Sequence, residues 1–189
     1  MVKSKKSLKT VGIFALQGAV GLHIPHLEAL GLKVIEIRRA EDFDLADGFI
    51  LPGGESTTML KLIDIFELEP VMREHFARKP VWGICAGCIL IAKKVTHPAQ
   101  RSFGLIDIAV ERNGYGSQVD SHETSINGYP VSFIRAPIIR SAGPGVKVLA
   151  THRGLPAWVR QGNIIASTFH PELTLDFPSP MHRLLASLL

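Results

Sequence analysis

The sequence predicts a single-domain α/β protein with a mostly parallel central sheet flanked by helices and with antiparallel strands in its C-terminal half. Up to residue 102, short apolar runs alternate with helical segments, which is typical of a parallel sheet with helices on both faces. From residue 103 onward, strand-like runs separated by turn residues indicate hairpins. The length of 189 residues also suits one well-buried core.

Four apolar runs in the first half are predicted strands of the parallel sheet. They are VGIFAL (11–16), LKVIEI (32–37), GFILPGG (48–54) and PVWGI (80–84). The segments that separate or follow these runs have helical spacing. They are HIPHLEALG (23–31), which ends at Gly31, TTMLKLIDIF (57–66), with Ser56 as the predicted N-cap, VMREHFA (71–77) and AGCILIAKK (86–94).

The second half is predicted to be mainly antiparallel. Its strand-like segments are GLIDIAVERN (104–113), HETSINGYPVSFIRAP (122–137), VKVLATH (146–152) and PAWVRQGNIIASTFH (156–170). Asn127-Gly128 and residues 161–163 supply turn residues between them. SPMHRLLASLL (179–189) is predicted to be a helix that packs back on the core.

The positive charge of the chain is concentrated in its first residues. The formal net charge is +4, and four lysines in residues 1–10 account for all of it. Residues 1–10 are therefore predicted to be a basic flexible tail and residues 11–189 the folded domain. The rest of the chain has no basic face, so no nucleic-acid partner is expected. No apolar run approaches bilayer length and no secretory signal is present, so we expect a cytoplasmic protein without a membrane partner.

GICAG (83–87) places a cysteine between two glycines directly after a predicted strand. A nucleophile on a sharp strand-to-helix turn needs small neighbours two residues away on each side, and the G-x-S-x-G elbow has the same spacing. Such a turn exposes Cys85 at the end of a strand, and the following helix N-terminus favours the thiolate. The Ala86 N–H then points to where an oxyanion forms. Cys85 is the predicted nucleophile.

Cys88 forms a C-x-x-C pair with Cys85, which raises two alternatives. A zinc site needs a second ligand pair at suitable spacing, and the sequence has none, so no metal is expected. A thiol-redox protein needs Cys88 exposed beside Cys85. The position of Cys88 three residues into a helix predicts instead that it is buried packing.

His170 is the predicted base, because it ends an apolar strand and is followed by Glu172. Residues i and i+2 of an extended segment point the same way, and Pro171 favours extended geometry at His170. Glu172 can therefore orient the ring. The histidines of the predicted helices are expected to be surface or cap residues: His23, His26, His75 and His182.

LPGGES (51–56) is the third candidate element of the site. Its two glycines end a parallel strand ahead of a helix, where backbone N–H groups face the crevice in which open α/β sheets bind ligands. The loop lacks the lysine of a phosphate-binding P-loop. A second oxyanion donor from Gly53-Gly54, paired with Ala86, suits a cysteine acyl-transfer site better.

These residues resemble those of class I, triad-type glutamine amidotransferases, and more narrowly the family of glutaminase subunits of pyridoxal 5′-phosphate synthase. PGGESTT and RN-x-x-G distinguish this family from glutaminases of other pathways, which share only the triad. The matching stretches follow the family's order from about residue 11 to the end: ALQGAV (15–20), LPGGESTTM (51–59), GICAG (83–87), VERNGYGSQVDSHE (110–123), FIRAP (133–137) and TFHPELT (168–174).

The resemblance implies hydrolysis of L-glutamine to glutamate and ammonia through a glutamyl thioester on Cys85. His170 would shuttle the proton, and Glu172 would orient His170. The oxyanion would be held by backbone N–H groups of Gly53, Gly54 and Ala86. By family correspondence, the residues that bind glutamine would be Gly54, Glu55, Ser56, Arg112, Ile134 and Arg135.

The resemblance also implies a partner, a (β/α)8 synthase subunit that uses the ammonia to make pyridoxal 5′-phosphate, with Gln17 near the interface. This subunit would bind neither pyridoxal phosphate nor a metal, so no cofactor is expected. Four positions depart from the family pattern. Ser117 stands where arginine is frequent and His122 where phenylalanine is frequent, whereas Ile84 replaces a common threonine and Cys88 a larger apolar residue.

Three other functions stay open at this point. The chain could be the glutaminase subunit of another pathway, because the triad is shared. It could be a PfpI-like cysteine protein with a regulatory role, although such proteins usually lack His-Pro-Glu near the C-terminus. It could also be a non-catalytic subunit that kept the fold. The complete set of Cys85, His170 and Glu172 argues against this last function.

Overall fold

The computed structural model describes residues 8–112, 114 and 121–189. The strands are β1 (Thr10–Phe14), β2 (Lys33–Ile37), β3 (Gly48–Leu51), β4 (Val81–Ile84), β5 (Ala92–Thr96), β6 (Ile106–Glu111), β7 (His122–Ile126), β8 (Tyr129–Phe133), β9 (Ile138–Ala142), β10 (Lys147–His152), β11 (Leu155–Gln161) and β12 (Ile164–Ser167). The α-helices are α1 (Ile24–Glu28), α2 (Ser56–Ile65), α3 (Glu69–Phe76), α4 (Ala86–Ile91) and α5 (Pro180–Ala186). Short 3₁₀ turns lie at Gly21–His23, Ala40–Leu45 and Pro171–Leu173.

A seven-stranded sheet in the order β10-β11-β12-β4-β3-β1-β2 forms the centre of the fold. The five strands from β12 to β2 are parallel, whereas β10, β11 and β12 pair antiparallel. A three-stranded sheet (β5-β6-β9) and the hairpin β7-β8 complete the described strands. The predicted α/β class, with a mostly parallel central sheet and antiparallel strands in the C-terminal half, is confirmed.

The core occupies both faces of the central sheet. On β3, Phe49 and Leu51 belong to the apolar cluster that contains residues of α2, α3 and α4, whereas Ile50 belongs to the cluster that contains residues of α1 and α5. Such alternation is what a strand covered on both faces requires, since successive side chains point to opposite sides. The sheet is therefore a two-sided scaffold whose strand ends hold the loops.

The structure corrects the predicted end of the helix over 86–94 and the predicted end of the N-terminal tail. The predicted helix over 86–94 ends at Ile91, because Ala92 is extended and pairs with Ile106 as β5 joins β6. Helical propensity in this segment is outweighed by the strand pairing. The predicted tail also overlaps the fold, since Thr10 starts β1 and Lys9 forms an ion pair with Asp47 at 3.0 Å. Residues 1–7, with most of the predicted tail, lie outside the described residues.

The prediction that the helical histidines are surface residues is wrong, although His23 does occupy the N-cap position of α1, without a capping hydrogen bond from its side chain. His23, His26 and His182 have no exposed area, and His75 is 5% exposed. The rings of His26 and His182 stack with centroids 4.2 Å apart, and Trp82 meets His182 edge-on at 5.0 Å. Packing between the first helical segment and the last one buries His23, His26 and His182. His75, on α3, packs instead against Phe43 and Phe49. Their sequence positions alone, far apart along the chain, do not reveal that packing.

These buried histidines make the fold sensitive to acid. Burial lowers the pKa of His23 to about 4 and lowers the pKa values of His26, His75 and His182. Between about pH 6.5 and pH 4 the unfolded chain binds more protons, so the free energy of unfolding falls as the pH falls. We expect His23 alone to contribute a loss on the order of 3 kcal/mol by about pH 4. Urea unfolding near pH 7 and near pH 4.5 measures this, and equal stability at both would contradict it.

No helix among the described residues is long and apolar enough to cross a membrane.

Candidate active site

Four loops meet at the carboxyl ends of the parallel strands and enclose a cleft of about 450 Å³. They follow β1, β3, β4 and β12, and they contain Gln17, Gly53, Cys85 and His170 respectively. Open α/β sheets bind ligands in this crevice. Every residue predicted for the site lines the cleft: Gly53, Gly54, Glu55, Ser56, Cys85, Ala86, Arg112, Ile134, Arg135, His170 and Glu172.

The two glycines around Cys85 are required by close backbone packing. A Cβ at Gly83 would lie 2.5 Å from the carbonyl oxygen of Gly87, and a Cβ at Gly87 would overlap the carbonyl oxygen of Leu51. Cys85 itself has φ 50° and ψ −102°, which is a strained conformation for a residue with a side chain. The turn is held by the Cys85 N–H, which donates to the Ser167 carbonyl at 2.8 Å. The strained elbow predicted from the spacing is present.

Replacing Gly87 with alanine is expected to destabilise the protein by about 3 kcal/mol, because the new methyl group overlaps backbone rather than a movable side chain. Thermal unfolding would show this as a lower Tm. Gly162→Ala is a suitable comparison, since a Cβ there meets no atom within 4 Å, although its φ of +57° adds some strain of its own. A Gly87→Ala variant as stable as Gly162→Ala would contradict the steric explanation.

His170 and Glu172 form a buried pair at the end of β12. The His170 Nδ1–H donates to Glu172 Oε1 at 2.7 Å, and Glu172 is 2% exposed. The predicted extended geometry holds only for His170, since Pro171–Leu173 is a 3₁₀ turn that brings the carboxylate back to the ring. Backbone hydrogen bonds between His170 and Ser132 in β8 fix the position of the pair. Because Nδ1 faces the carboxylate, Nε2 is the ring nitrogen left for the cleft.

The charges around His170 favour the protonated ring. Burial acts to lower its pKa, but the hydrogen-bonding and charge interactions of Cys85 and Glu172 outweigh this and raise the pKa of His170 to about 10. Burial likewise acts to raise the pKa of Glu172, whereas His23 and His170 lower it overall. At neutral pH the site therefore holds an imidazolium against a carboxylate.

Glycines let the loop after β3 approach the rest of the site closely. A Cβ at Gly53 would overlap the ring of His170, and a Cβ at Gly54 would overlap the side-chain amide of Gln17. The Ala19 N–H donates to the Gly53 carbonyl at 3.1 Å, and the Glu55 N–H donates to Gln17 Oε1 at 2.8 Å. The loop after β1 thus holds the loop after β3. This role of Gln17 was not predicted, since sequence reasoning placed the residue only near a partner.

Glu55, not Ser56, is the N-cap of α2, so the predicted cap is wrong. The Glu55 carboxylate accepts from the N–H groups of Thr57 and Thr58 at 3.0 and 2.7 Å. Burial acts to raise the pKa of Glu55, but hydrogen bonds from Thr58 and Thr57 lower it to about 2. Ser56 is buried and its hydroxyl donates to Gln100 Oε1 at 3.0 Å. The physical reason is reach, because the longer Glu55 side chain can fold back over the first turn.

Two oppositely charged side chains, Arg112 and Glu55, lie next to each other in the cleft. An Arg112 guanidinium nitrogen is 3.6 Å from Glu55 Oε1 and donates to Thr57 Oγ1 at 3.0 Å. Ile134 and Arg135 are exposed and also line the cleft, and the Cys85 thiol lies 4.0 Å from the Ile134 carbonyl. Asn113 and Ser117 lie outside the described residues. His122 starts β7 and stacks on Phe133.

Cys88 is buried with no exposed area, as predicted, and burial raises the pKa of its thiol far above the usual range. A thiol-redox protein would need this residue exposed, so the structure argues against that alternative. Among the described residues, no group of three or more His, Cys, Asp or Glu side chains could hold a metal ion.

The fold and the cleft define a class of protein: an α/β protein with a cysteine on a strained strand-to-helix elbow, in one cleft with a paired histidine and carboxylate. The comparisons with known proteins give the family. The model of the SNO glutamine amidotransferase family matches residues 13–182, so the chain belongs to that family. The resemblance inferred from the sequence motifs is thereby confirmed.

Curated relatives and solved structures agree with this membership. A pyridoxal 5′-phosphate synthase subunit PdxT of Solibacter usitatus (strain Ellin6076) is 47% identical, with 89% of this chain and 94% of the relative covered. PdxT of Thermotoga neapolitana is 42% identical, with 88% and 93% covered. A crystal structure of a glutamine amidotransferase superposes with a TM-score of 0.85 at 40% identity, covering 94% of this chain and 97% of that one. PurLQS from Thermotoga maritima, at 17% identity and TM-score 0.55, shares the fold.

Proposed function

We propose that this protein hydrolyses L-glutamine to L-glutamate and ammonia with Cys85, His170 and Glu172, and delivers the ammonia to a pyridoxal 5′-phosphate synthase subunit. The observation that carries the proposal is the strained Cys85 turn in one cleft with a histidine held 2.7 Å from a buried carboxylate. Membership of a glutamine amidotransferase family supports the substrate. The names of its relatives support the pathway.

The chemistry proceeds in two halves. The Cys85 sulfur, whose proton is held by His170, attacks the amide carbon of glutamine, and His170 passes this proton to the amide nitrogen as the carbon–nitrogen bond breaks and ammonia leaves. A glutamyl thioester remains on Cys85. His170, now neutral, takes a proton from water as the water oxygen attacks the thioester carbon. The carbon–sulfur bond breaks, the new carboxyl group releases its proton to solvent as glutamate leaves, and the site returns to its starting state, with the Cys85 proton again on His170.

Both halves pass through an oxyanion. The Ala86 N–H at the start of α4 and the N–H groups of the Gly53-Gly54 turn are the donors that we propose for it. Two features support this: Gly53 lies directly against the His170 ring, and hydrogen bonds from the loop after β1 hold the turn. Donors held before the reaction stabilise the developing charge without reorganisation.

Glutamine recognition is proposed to use the charge pair of Glu55 and Arg112. The substrate carries an α-ammonium and an α-carboxylate, which match a carboxylate and a guanidinium side by side. Gly54, Ser56, Ile134 and Arg135 complete the proposed binding residues around the cleft. In this proposal, the Glu55–Arg112 pair selects substrates with an α-ammonium and an α-carboxylate. The distance between this pair and Cys85 selects the length of the substrate side chain.

An Arg112→Met variant is expected to raise KM for glutamine about 30-fold with a smaller change in kcat, because a charge-assisted hydrogen bond to the α-carboxylate is lost. Steady-state ammonia release measures both constants. Arg78→Met is the matched control, since Arg78 follows the end of α3, is exposed, pairs with Glu74 and does not line the cleft. An unchanged KM in Arg112→Met would remove Arg112 from the proposed substrate site.

The proposed partner is a (β/α)8 synthase subunit, and the proposed location is the cytoplasm. The deciding experiment measures ammonia release from glutamine by the purified chain, alone and with a pyridoxal phosphate synthase subunit from the same source. Stimulation that depends on Cys85 supports both the reaction and the pathway. Cys85-dependent activity that is not stimulated by the added subunit would point to a different synthase partner. No ammonia release in either condition would contradict the proposal.

A further inference from the structure

The carboxylate of Glu172 has a second buried neighbour besides His170. The Nε2 atom of His23 lies 3.9 Å from Glu172 Oε1, the same oxygen that accepts from His170 at 2.7 Å. Among the described residues, neither His23 Nε2 nor Glu172 Oε2 has a hydrogen-bond partner. Buried polar atoms without partners are costly, and here two of them belong to adjacent side chains. At 3.9 Å the two atoms are too far apart for a direct hydrogen bond, so the influence of the His23 ring on Glu172 is electrostatic.

A chain of hydrogen bonds holds the His23 ring from behind. His23 Nδ1 is 3.0 Å from His182 Nε2, and His182 Nδ1 is 2.6 Å from Ser179 Oγ. The Ser179 hydroxyl oxygen also accepts from the His182 backbone N–H at 3.2 Å, as the N-cap of α5. Trp82 packs edge-on against both rings. The ring of His23 thus has one fixed orientation, with Nε2 toward Glu172.

Electrostatics selects the direction of the protons along this chain. Burial keeps His23 and His182 neutral, so each ring carries one N–H. If the Ser179 hydroxyl donates to His182 Nδ1, then His182 Nε2–H donates to His23 Nδ1, and His23 presents its Nε2–H to the carboxylate. The reverse arrangement would place a nitrogen lone pair against a buried carboxylate. The first arrangement is favoured because an unscreened repulsion at this depth is expensive.

We propose that His23, oriented by His182 and Ser179, is a positioning residue that keeps Glu172 charged and in place against His170. This inference rests on the proposed glutaminase mechanism. His23 touches no substrate and transfers no proton in this role. Its neutrality matters, because a cationic His23 would compete with His170 for the same carboxylate oxygen. The titratable groups that face His23 are Glu172, His26, His170 and His182.

The test compares His23→Leu, which removes the donor, with His23→Gln, which keeps an N–H donor near the Nε2 position. With the synthase present, His23→Leu is expected to lower kcat on the order of tenfold with KM within about twofold. The high-pH limb of the kcat profile should move to lower pH, because a Glu172 carboxylate that is no longer held in place against His170 stabilises the imidazolium less. His23→Gln should restore most of both. His75→Leu is the matched control, a buried histidine away from the cleft.

Two further measurements separate this inference from the proposed function. Alkylation of Cys85 by iodoacetamide near pH 7 needs neither glutamine nor synthase, and it should slow in His23→Leu but not in His75→Leu. Nitrogen NMR of the unsubstituted protein should find His23 protonated at Nε2. Two outcomes would overturn the role. One is an active parent protein whose kcat, pH profile and alkylation rate are unchanged in His23→Leu. The other is an NMR result that places the His23 proton on Nδ1. An inactive parent would instead refute the proposed function.

If His23→Leu does not fold, Ser179→Ala carries the same test from the other end of the chain. Loss of the hydroxyl frees His182 to reverse its tautomer, and we expect about a threefold loss of kcat with the same shift of the pH profile. Ser179→Thr keeps both the hydroxyl and the helix cap, so it should behave like the parent. Equal kcat and pH profile in Ser179→Ala and Ser179→Thr would contradict the inference.

Discussion

A Cys85→Ala variant is expected to lose ammonia release from glutamine by about 10⁴-fold or more, because no other cysteine is among the described residues that line the cleft, and a thioester needs a cysteine sulfur. The residue sits 7% exposed on a backbone turn that alanine can also occupy, so the fold should persist. Ammonia release with the synthase subunit present measures the loss, and circular dichroism verifies that the variant is folded.

Cys88→Ala is the matched control for this experiment. Cys88 is fully buried in α4 and its thiol pKa is raised by burial, so it supplies packing and no nucleophile. We expect it to keep most of the activity and to lose about 1 kcal/mol of stability from the small cavity. Equal loss of activity in both cysteine variants would refute the assignment of roles. Equal retention would show that the reaction does not pass through Cys85.

A Glu172→Gln variant is expected to lower kcat by about 10³-fold while leaving the fold intact, because the shapes match but the charge is gone. The side-chain amide introduced at position 172 can donate to His170 Nδ1. This favours the neutral tautomer with its proton on Nε2, so that an N–H and not a lone pair faces Cys85. Without the carboxylate the pKa of His170 falls from about 10, so any residual activity should peak at lower pH. The pH profile of kcat measures both effects, and Glu67→Gln, an exposed residue after α2, is the control.

The same variant has a predictable effect on stability. The raised pKa of His170 stabilises the fold fully below about pH 6.5, and this contribution is lost as the pH rises toward 10. The lowered pKa of Glu172 stabilises the fold above about pH 4.5, and this contribution is lost as the pH falls through the folded value. The loss of stability in Glu172→Gln should therefore be largest between these limits and shrink at higher and lower pH. A pH-independent difference would contradict the linkage.

Local sequence determined the elements of the site that depend on neighbours along the chain. Gly83 and Gly87 predicted the elbow because only glycine tolerates backbone contact at both positions, and the structure shows those contacts. The order of apolar runs predicted the parallel sheet, which in turn brings the ends of β1, β3, β4 and β12 to one edge. His170 and Glu172, two residues apart, were paired correctly even though the backbone between them turns rather than extends.

Only the tertiary structure decided which side chains are buried beside that site. His23 and His182 are separated by 159 residues, yet they share a hydrogen bond, and Gln17 reaches a loop 38 residues away. The end of α4 at Ile91 and the capping of α2 by Glu55 likewise follow from strand pairing and side-chain reach. The physical reason is common to all of them. A local pattern reports which face of an element is apolar, whereas the environment of a polar side chain depends on whatever the fold packs against it.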